Sequence, residues 1–200
     1  GSHKSNLMLN IALNIYDKQK KSVLFVSLEM PTYDLMNRII ANRVGIEANC
    51  LAKPQLLTDE DVVNIQNCQI WSQGSDIKFA ILDTSENTTV DQLKYEIEKH
   101  AVYIKPRVVV IDYVALMGMD SSLRNDLAVG EVLKGLRRLG RKFGFHVISA
   151  AQIGRAALNQ IKKEGFDAAK PDSTSLRGSQ EYGTDPDTIL NMANSFSQTF

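Results

Sequence analysis

The sequence predicts an α/β fold in which a mainly parallel sheet carries helices on both faces. Short apolar runs rich in β-branched residues alternate along the chain with longer stretches of helical periodicity. These runs are continuous, which is typical of strands buried on both faces. Strands that alternate with helices of about ten or more residues favour right-handed crossovers and a parallel sheet.

Five runs are predicted strands, because they are short and have the length and composition of buried strands. They are residues 23–28 (VLFVSL), 79–82 (FAIL), 108–111 (VVVI), 146–151 (HVISAA) and 188–192 (TILNM). The polar stretch 153–178 has no such pattern and is predicted to be a functional loop.

Helices are predicted between these strands. In residues 7–16 an apolar stripe faces away from a polar one. The stripe comprises Leu7, Met8, Ile11, Ala12 and Ile15, and the polar face comprises Asn6, Asn10 and Asn14. A second helix ends at Gly45, and a third begins at Thr58 with acids in its first turn, where the helix dipole favours them. Further helices are predicted at 90–104 and 129–143.

Length and composition favour one soluble domain over residues 1–200. With 44% hydrophobic residues, a chain of 200 residues can bury a sizeable core. The 23 basic and 23 acidic residues balance, so a nucleic acid or acidic partner would have to be bound locally. Cys50 and Cys68 are too few for a disulfide framework and are expected to be core thiols. The sequence has neither a signal-peptide layout nor an apolar run long enough for a membrane span.

Polar side chains follow four of the predicted strands directly. Glu29, Asp83, Asp112 and Gln152 stand at or just beyond their carboxyl ends. In an open parallel sheet, ligands bind in the crevice beyond those ends. For Asp83 a helix cap or turn is the preferred interpretation, since a single Asp after a strand usually has that role. Glu29 has an alternative as well, an ion pair with Arg38.

The first predicted helix is preceded by Lys4 and Ser5. This pair ends the pattern G-x-x-x-x-G-K-S/T, in which backbone N–H groups cradle phosphates, the lysine reaches the terminal ones and the hydroxyl binds Mg²⁺. The run VVVID ends in Asp112, which places a carboxylate, the second candidate ligand of Mg²⁺, at the end of an apolar strand. Together the two motifs indicate a nucleotide site.

Six blocks of the chain, in order, resemble the C-terminal ATPase domain of DnaB-type replicative helicases, cellular or phage-encoded. These proteins are RecA-like P-loop NTPases. The blocks are HKSNLMLNIALNIY, VLFVSLEMPTYDLMNRIIA with its SLEM motif, ILDTSENTTVDQL, RVVVIDYVALM, HVISAAQIGR and SLRGSQEYGTDPDTIL. The resemblance covers nearly the whole chain, which would be a helicase motor domain truncated at both ends relative to the family.

The resemblance implies ATP and Mg²⁺ as ligands and assigns roles to individual residues. Lys4 would bind the β and γ phosphates, while His3 and Asn6 would lie beside it in the nucleotide site. Ser5 and Asp112 would hold Mg²⁺. Gln152 would sense the γ-phosphate, and Glu29 would be the general base. His3 departs from the pattern, because the P-loop has Gly in that slot.

The same resemblance implies partners. Single-stranded DNA contacts are expected in loops at 117–126 and after Gln152, with Arg124, Arg155, Lys162 and Lys163 as candidate residues. A homo-oligomer, a hexameric ring in the family, is expected, with primase and a helicase loader as further partners and no membrane. The expected location is the cytoplasm of a bacterial or phage-infected bacterial cell. The family's arginine finger has no counterpart identified in this chain.

Two other functions remain open from the sequence. One is a RecA-like recombinase or clock-type ATPase, against which the SLEMP block argues. The other is a degenerate ATPase domain that serves as an interaction module for a primase or loader. An inert site has no reason to keep all five proposed chemical roles, which argues against the module.

Overall fold

The structure, a computed structural model, describes residues 3–68, 76–84, 87–119, 122, 125–151, 159, 163 and 186–189. Its strands are β1 (Val23–Ser27), β2 (Phe79–Asp83), β3 (Val108–Asp112) and β4 (His146–Ser149). They form one parallel sheet in the order β2-β1-β3-β4. Four predicted strands are thereby confirmed. In the predicted fifth strand, residues 188 and 189 are described and are not in a strand, and residues 190–192 lie outside the described part.

Six α-helices are present in the described ranges: α1 (His3–Asp17), α2 (Thr32–Val44), α3 (Ala48–Leu51), α4 (Asp59–Gln66), α5 (Val90–Ile104) and α6 (Asn125–Phe143). Short 3₁₀ turns occur at Pro54–Leu56 and Val114–Leu116. Helix α2 ends at Gly45, as predicted, where φ is +82°. None of the described helices is long and apolar enough to cross a bilayer.

The core consists of two apolar layers, one on each face of the sheet. Alternate residues of β1 enter opposite layers: Leu24 and Val26 pack with α5 and α6, while Val23 and Phe25 pack with α1 and α2. Fully burying one such side chain contributes about 1.5 to 3 kcal/mol. Helices on both faces, as predicted, explain why β1 and β3 are apolar up to their last residue.

The buried face of α1 agrees with the predicted stripe at Met8, Ala12 and Ile15 and differs from it at Leu7. Leu7 is 42% exposed, whereas Leu9 and Leu13 are buried together with Met8 and Ala12. The helix is apolar around much of its circumference, so periodicity alone could not select between two neighbouring rows. Packing against the broad surface of the sheet decided which row was buried.

The expectation of core thiols is wrong. Cys50 and Cys68 are free and only partly buried. Cys50 lies in α3 and Cys68 follows α4, and neither helix has a buried residue. These helices lie at the rim of the domain, where the sequence pattern does not distinguish a covered thiol from a half-exposed one.

Gly118 permits a close approach between two loops. The N–H of Asn87 donates to Leu116 C=O at 2.9 Å, and the N–H of Gly118 donates to Thr88 C=O at 3.0 Å. A Cβ on Gly118 would stand 2.1 Å from the backbone oxygen of Asn87. The segment after β2 is therefore fastened to the segment after β3.

We expect Gly118→Ala to lower the free energy of unfolding by about 2 kcal/mol, because the added methyl group forces these backbones apart. Gly45→Ala is the control: a Cβ there meets nothing within 4 Å, so only its positive φ is penalised, at about 1 kcal/mol. Urea denaturation of both variants checks the difference. An equal or smaller loss at Gly118 would show that the loops adjust without cost.

Candidate functional site

The carboxyl ends of β1 and β3 lie side by side in the middle of the sheet. Ser27, the last residue of β1, is in register with Asp112 of β3 on one side and with Asp83 of β2 on the other. The chain passes from β1 to β2 and then crosses to β3, so the strand order reverses here. Ligands of open α/β sheets bind at such switch points.

Asp112 is the most unusual residue at this edge. It is 0% exposed, and neither carboxylate oxygen has a hydrogen-bond partner of good geometry among the described residues. Burial raises the pKa of this carboxyl above its ordinary value, and the negative charge of Glu29 raises it further. The Ser5 hydroxyl and the charges of Lys4 and Arg38 act in the opposite direction without outweighing burial.

Helix α1 brings Lys4 and Ser5 to Asp112. Ser5 is buried in the first turn of α1, and the Ser5 hydroxyl lowers the pKa of the Asp112 carboxyl. The Lys4 Nζ lies 5.0 Å from the ring centroid of Tyr113, the residue that follows Asp112. His3 is the first residue of α1, and its side chain is outside the described part. A helix N-terminus that carries a lysine and a hydroxyl suits an anionic ligand.

Arg38 of α2 is a member of this group that the sequence suggested only as an ion-pair partner of Glu29. Its Nη1 donates to the side-chain oxygen of Asn6 on α1, and its charge lowers the pKa of the Asp112 carboxyl. No ion pair between Arg38 and Glu29 occurs among the described residues. Since Arg38 lies nine positions after Glu29 in an ordinary amphipathic helix, only the packing of α2 beside α1 reveals its place.

Glu29 follows β1 at the same edge, and its side chain is exposed. Its charge acts on Asp112, so the two acids are within electrostatic range of each other. The N–H of Leu28 donates to the Asp112 C=O at 3.0 Å, which ties the segment carrying Glu29 to β3. The edge therefore presents an exposed acid beside a buried one, with two cations close to the buried one.

Asp83 caps helix α2, in agreement with the helix-cap interpretation preferred from the sequence. Its Oδ2 accepts from the N–H of Thr32 at 2.9 Å and from the Thr32 hydroxyl at 3.0 Å. Thr32 begins α2, and its own N-cap residue, Pro31, makes no side-chain cap bond. The cap therefore comes from a strand 51 residues away in the sequence.

Asp83→Ala should lower the free energy of unfolding by about 1 kcal/mol, the usual effect of losing a cap. Asp34→Ala is the matched control, because Asp34 is an exposed acid in the first turn of the same helix without a side-chain hydrogen bond among the described residues. Urea denaturation measures both, and a Mg²⁺-nucleotide titration accompanies it. A loss of nucleotide affinity at unchanged stability would make Asp83 part of the ligand site instead.

Several predicted site residues cannot be located. Gln152, Arg124, Arg155 and Lys162 lie outside the described residues. Lys163 is described and is exposed. Within the described ranges, no group of three or more His, Cys, Asp or Glu residues could hold a metal ion.

A family model of the DnaB-like helicase C-terminal domain matches residues 1–196. The chain belongs to this family. It is 30% identical over 192 residues to a probable replicative DNA helicase of Trieres chinensis, and the match covers 94% of this chain and 40% of that protein. It is 27% identical over 188 residues to the replicative DNA helicase DnaB of Treponema pallidum (strain Nichols), with the same shares covered.

This DnaB-like chain also resembles solved structures. An ATPase domain of known structure superposes with a TM-score of 0.70 at 19% identity, over 90% of this chain and 61% of that one. A DnaB-like replicative helicase, in a structure describing its interactions with primase, gives a TM-score of 0.74 at 21% identity, over 90% of this chain and 41% of that one. The RecA-like ATPase fold is thereby confirmed. The chain spans about 40% of the length of the curated relatives named above.

Proposed function

We propose that this chain is the ATP-hydrolysing motor domain of a replicative DNA helicase, which translocates on single-stranded DNA. The observation that carries the proposal is the surroundings of Asp112. A buried carboxylate whose oxygens have no hydrogen-bond partner of good geometry among the described residues is costly unless a ligand completes the site. Lys4, Ser5, Glu29 and Arg38 all act on this one group, from three different elements of the fold.

The residues around Asp112 fit a magnesium ion bound together with a nucleotide. Mg²⁺ is usually held by one or two carboxylates plus substrate phosphates and water, not by an all-protein cage. Asp112 supplies the carboxylate and Ser5 the hydroxyl, so these two would hold the ion. When bound, Mg²⁺ neutralises charge on the phosphates during transfer.

Other residues of the site bind the phosphates, activate the attacking water and stabilise the developing charge. Lys4 binds the terminal phosphates, and the N-terminus of α1, with His3 and Asn6, faces the phosphate chain. Glu29, exposed at the strand end, accepts a proton from the attacking water and orients it towards the γ-phosphate. Arg38, held by Asn6, adds a second positive charge where negative charge accumulates. Gln152 is proposed to sense whether the γ-phosphate is present.

Further features of the proposal rest on family membership. The chain would assemble as a homo-oligomer, a hexameric ring in our proposal, in the cytoplasm of a bacterial or phage-infected cell. Arg124, Arg155, Lys162 and Lys163 would contact DNA phosphates, each weakly, with the ring summing the contributions. Primase and a helicase loader are proposed partners. The family match does not favour a recombinase, a clock-type ATPase or an inert module.

The test compares steady-state ATP turnover of the full-length protein without DNA, with a single-stranded oligonucleotide and with a blunt duplex of equal length. A helicase motor should hydrolyse faster with the single strand than with the duplex. Turnover that ignores DNA would indicate a protein-remodelling ATPase, and filaments on DNA in electron micrographs would indicate a recombinase. Absence of both turnover and nucleotide binding would indicate an interaction module.

A further inference from the structure

Glu29 sits in a short turn whose two sides are both anchored. On one side Leu28 is buried, and its N–H donates to the Asp112 C=O at 3.0 Å. On the other side Met30 is held by the side chain of Ser27. The Glu29 side chain is exposed, yet the backbone that carries it is fixed relative to β3.

The Ser27 hydroxyl makes two hydrogen bonds to the backbone of Met30. It donates to the Met30 C=O at 2.6 Å, and its oxygen accepts from the Met30 N–H at 3.3 Å. Ser27 is 1% exposed, at the end of a strand whose other members are all apolar. An apolar side chain would fill this position at least as favourably, so burial alone does not account for a hydroxyl here.

We propose that Ser27 is a positioning residue for Glu29, whose hydroxyl closes the turn and holds the general base against the β3 edge. The inference rests on the proposed function of Glu29. Without the hydroxyl, the N–H and C=O of Met30 lose the partner that they have among the described residues, and the turn can adopt other conformations. A shift of about 1 Å in a catalytic group can cost about a hundredfold in rate, whereas phosphate binding by α1 does not depend on this turn.

The experiment measures kcat and KM for ATP, together with the Kd of a fluorescent ADP analogue, for Ser27→Ala and Ser27→Thr in the full-length protein. Ser27→Ala should lower kcat about tenfold with KM and Kd within about twofold, and Ser27→Thr, which keeps the hydroxyl, should recover most of the rate. Ser22→Ala is the matched control. Ser22 is also buried, precedes the other end of β1 and accepts from the Lys78 N–H at 3.1 Å, so its loss should leave kcat unchanged.

A double-mutant cycle with Glu29→Gln separates positioning from general destabilisation. If Ser27 acts through the Glu29 carboxylate, Ser27→Ala should not slow the residual turnover of Glu29→Gln further. If Ser27→Ala slowed turnover equally in both backgrounds, or kept full turnover, the positioning role of Ser27 would be rejected and the proposed role of Glu29 would stand. Undiminished turnover in Glu29→Gln would reject the proposed role of Glu29, and the inference with it.

Discussion

Glu29→Gln should reduce ATP turnover by about 10² to 10⁴-fold, the usual range for loss of a general base. The amide keeps the size of the side chain but cannot accept the proton of the attacking water. Nucleotide affinity should remain within about twofold, since Lys4, Ser5 and Asp112 would bind the phosphates and Mg²⁺ without it. The loss should therefore appear in kcat, measured by phosphate release, and not in Kd.

Glu60→Gln is the matched control for this variant. Glu60 is an exposed glutamate in the first turn of α4, and the main groups that shift the pKa of Asp112 do not include it. Its turnover should equal that of the unmodified protein. A Glu29→Gln protein that hydrolyses ATP at the unmodified rate would remove Glu29 from the mechanism and return it to the role of a surface acid.

Asp112→Asn should have two opposite effects. The first is a loss of ATP turnover on the order of a hundredfold or more, because the proposed magnesium ligand loses its charge. The second is a gain in the stability of the nucleotide-free protein at neutral pH, on the order of 1 kcal/mol, because the buried negative charge is gone while a polar group of the same size remains. Phosphate release and urea denaturation measure the two effects.

The pH dependence of this gain follows from the direction of the shift. The pKa of the Asp112 carboxyl is raised in the folded state, so the folded chain binds its proton more tightly than the unfolded chain does. Its destabilising contribution is absent below the unfolded value of 3.8, grows as the pH rises through the folded pKa and is constant above it. The advantage of Asp112→Asn should therefore appear at neutral pH and disappear in acid.

Asp61→Asn provides a control in which the expected change in stability at neutral pH has the opposite sign. The backbone N–H of Thr58 and then its hydroxyl lower the pKa of the Asp61 carboxyl in the capping box of α4. Its stabilising contribution is present above the unfolded value and is lost as the pH falls through the folded pKa. This variant should lose stability at neutral pH. If Asp112→Asn behaved in the same way, the charge of Asp112 would have to be compensated in the nucleotide-free protein.

A ligand assay completes the test of Asp112. A ligand present at 100 times its Kd stabilises the folded state by about 2.7 kcal/mol. The unmodified protein should show such a rise in unfolding free energy with Mg²⁺ and ADP, and Asp112→Asn should show a smaller one. Equal stabilisation of both proteins would mean that Asp112 is not a magnesium ligand.

Local patterns in the sequence were sufficient for much of the fold. Apolar runs marked the four strands, most clearly the fully buried β1 and β3 and less clearly the partly exposed β2 and β4, and Gly45 marked the end of α2. Burial on two faces and a positive φ each restrict the residue types allowed. The chemical types of Glu29 and Asp112 at strand ends were visible too. In a parallel sheet, every strand delivers its carboxyl end to the same edge, so these placements need no tertiary information.

Other features depend on which elements become neighbours. Asp83 caps a helix 51 residues away, and Arg38 meets Asn6 across 32 residues. The pKa of Asp112 is raised by burial in the fold and by the charge in the turn after β1, and charges from α1 and α2 oppose this rise. Packing also decides that Leu7 is exposed and that the thiols of Cys50 and Cys68 are only partly buried. A periodic pattern records which residues avoid water, whereas hydrogen-bond partners and electrostatic neighbours are set by the order of the strands and the packing of the helices between them.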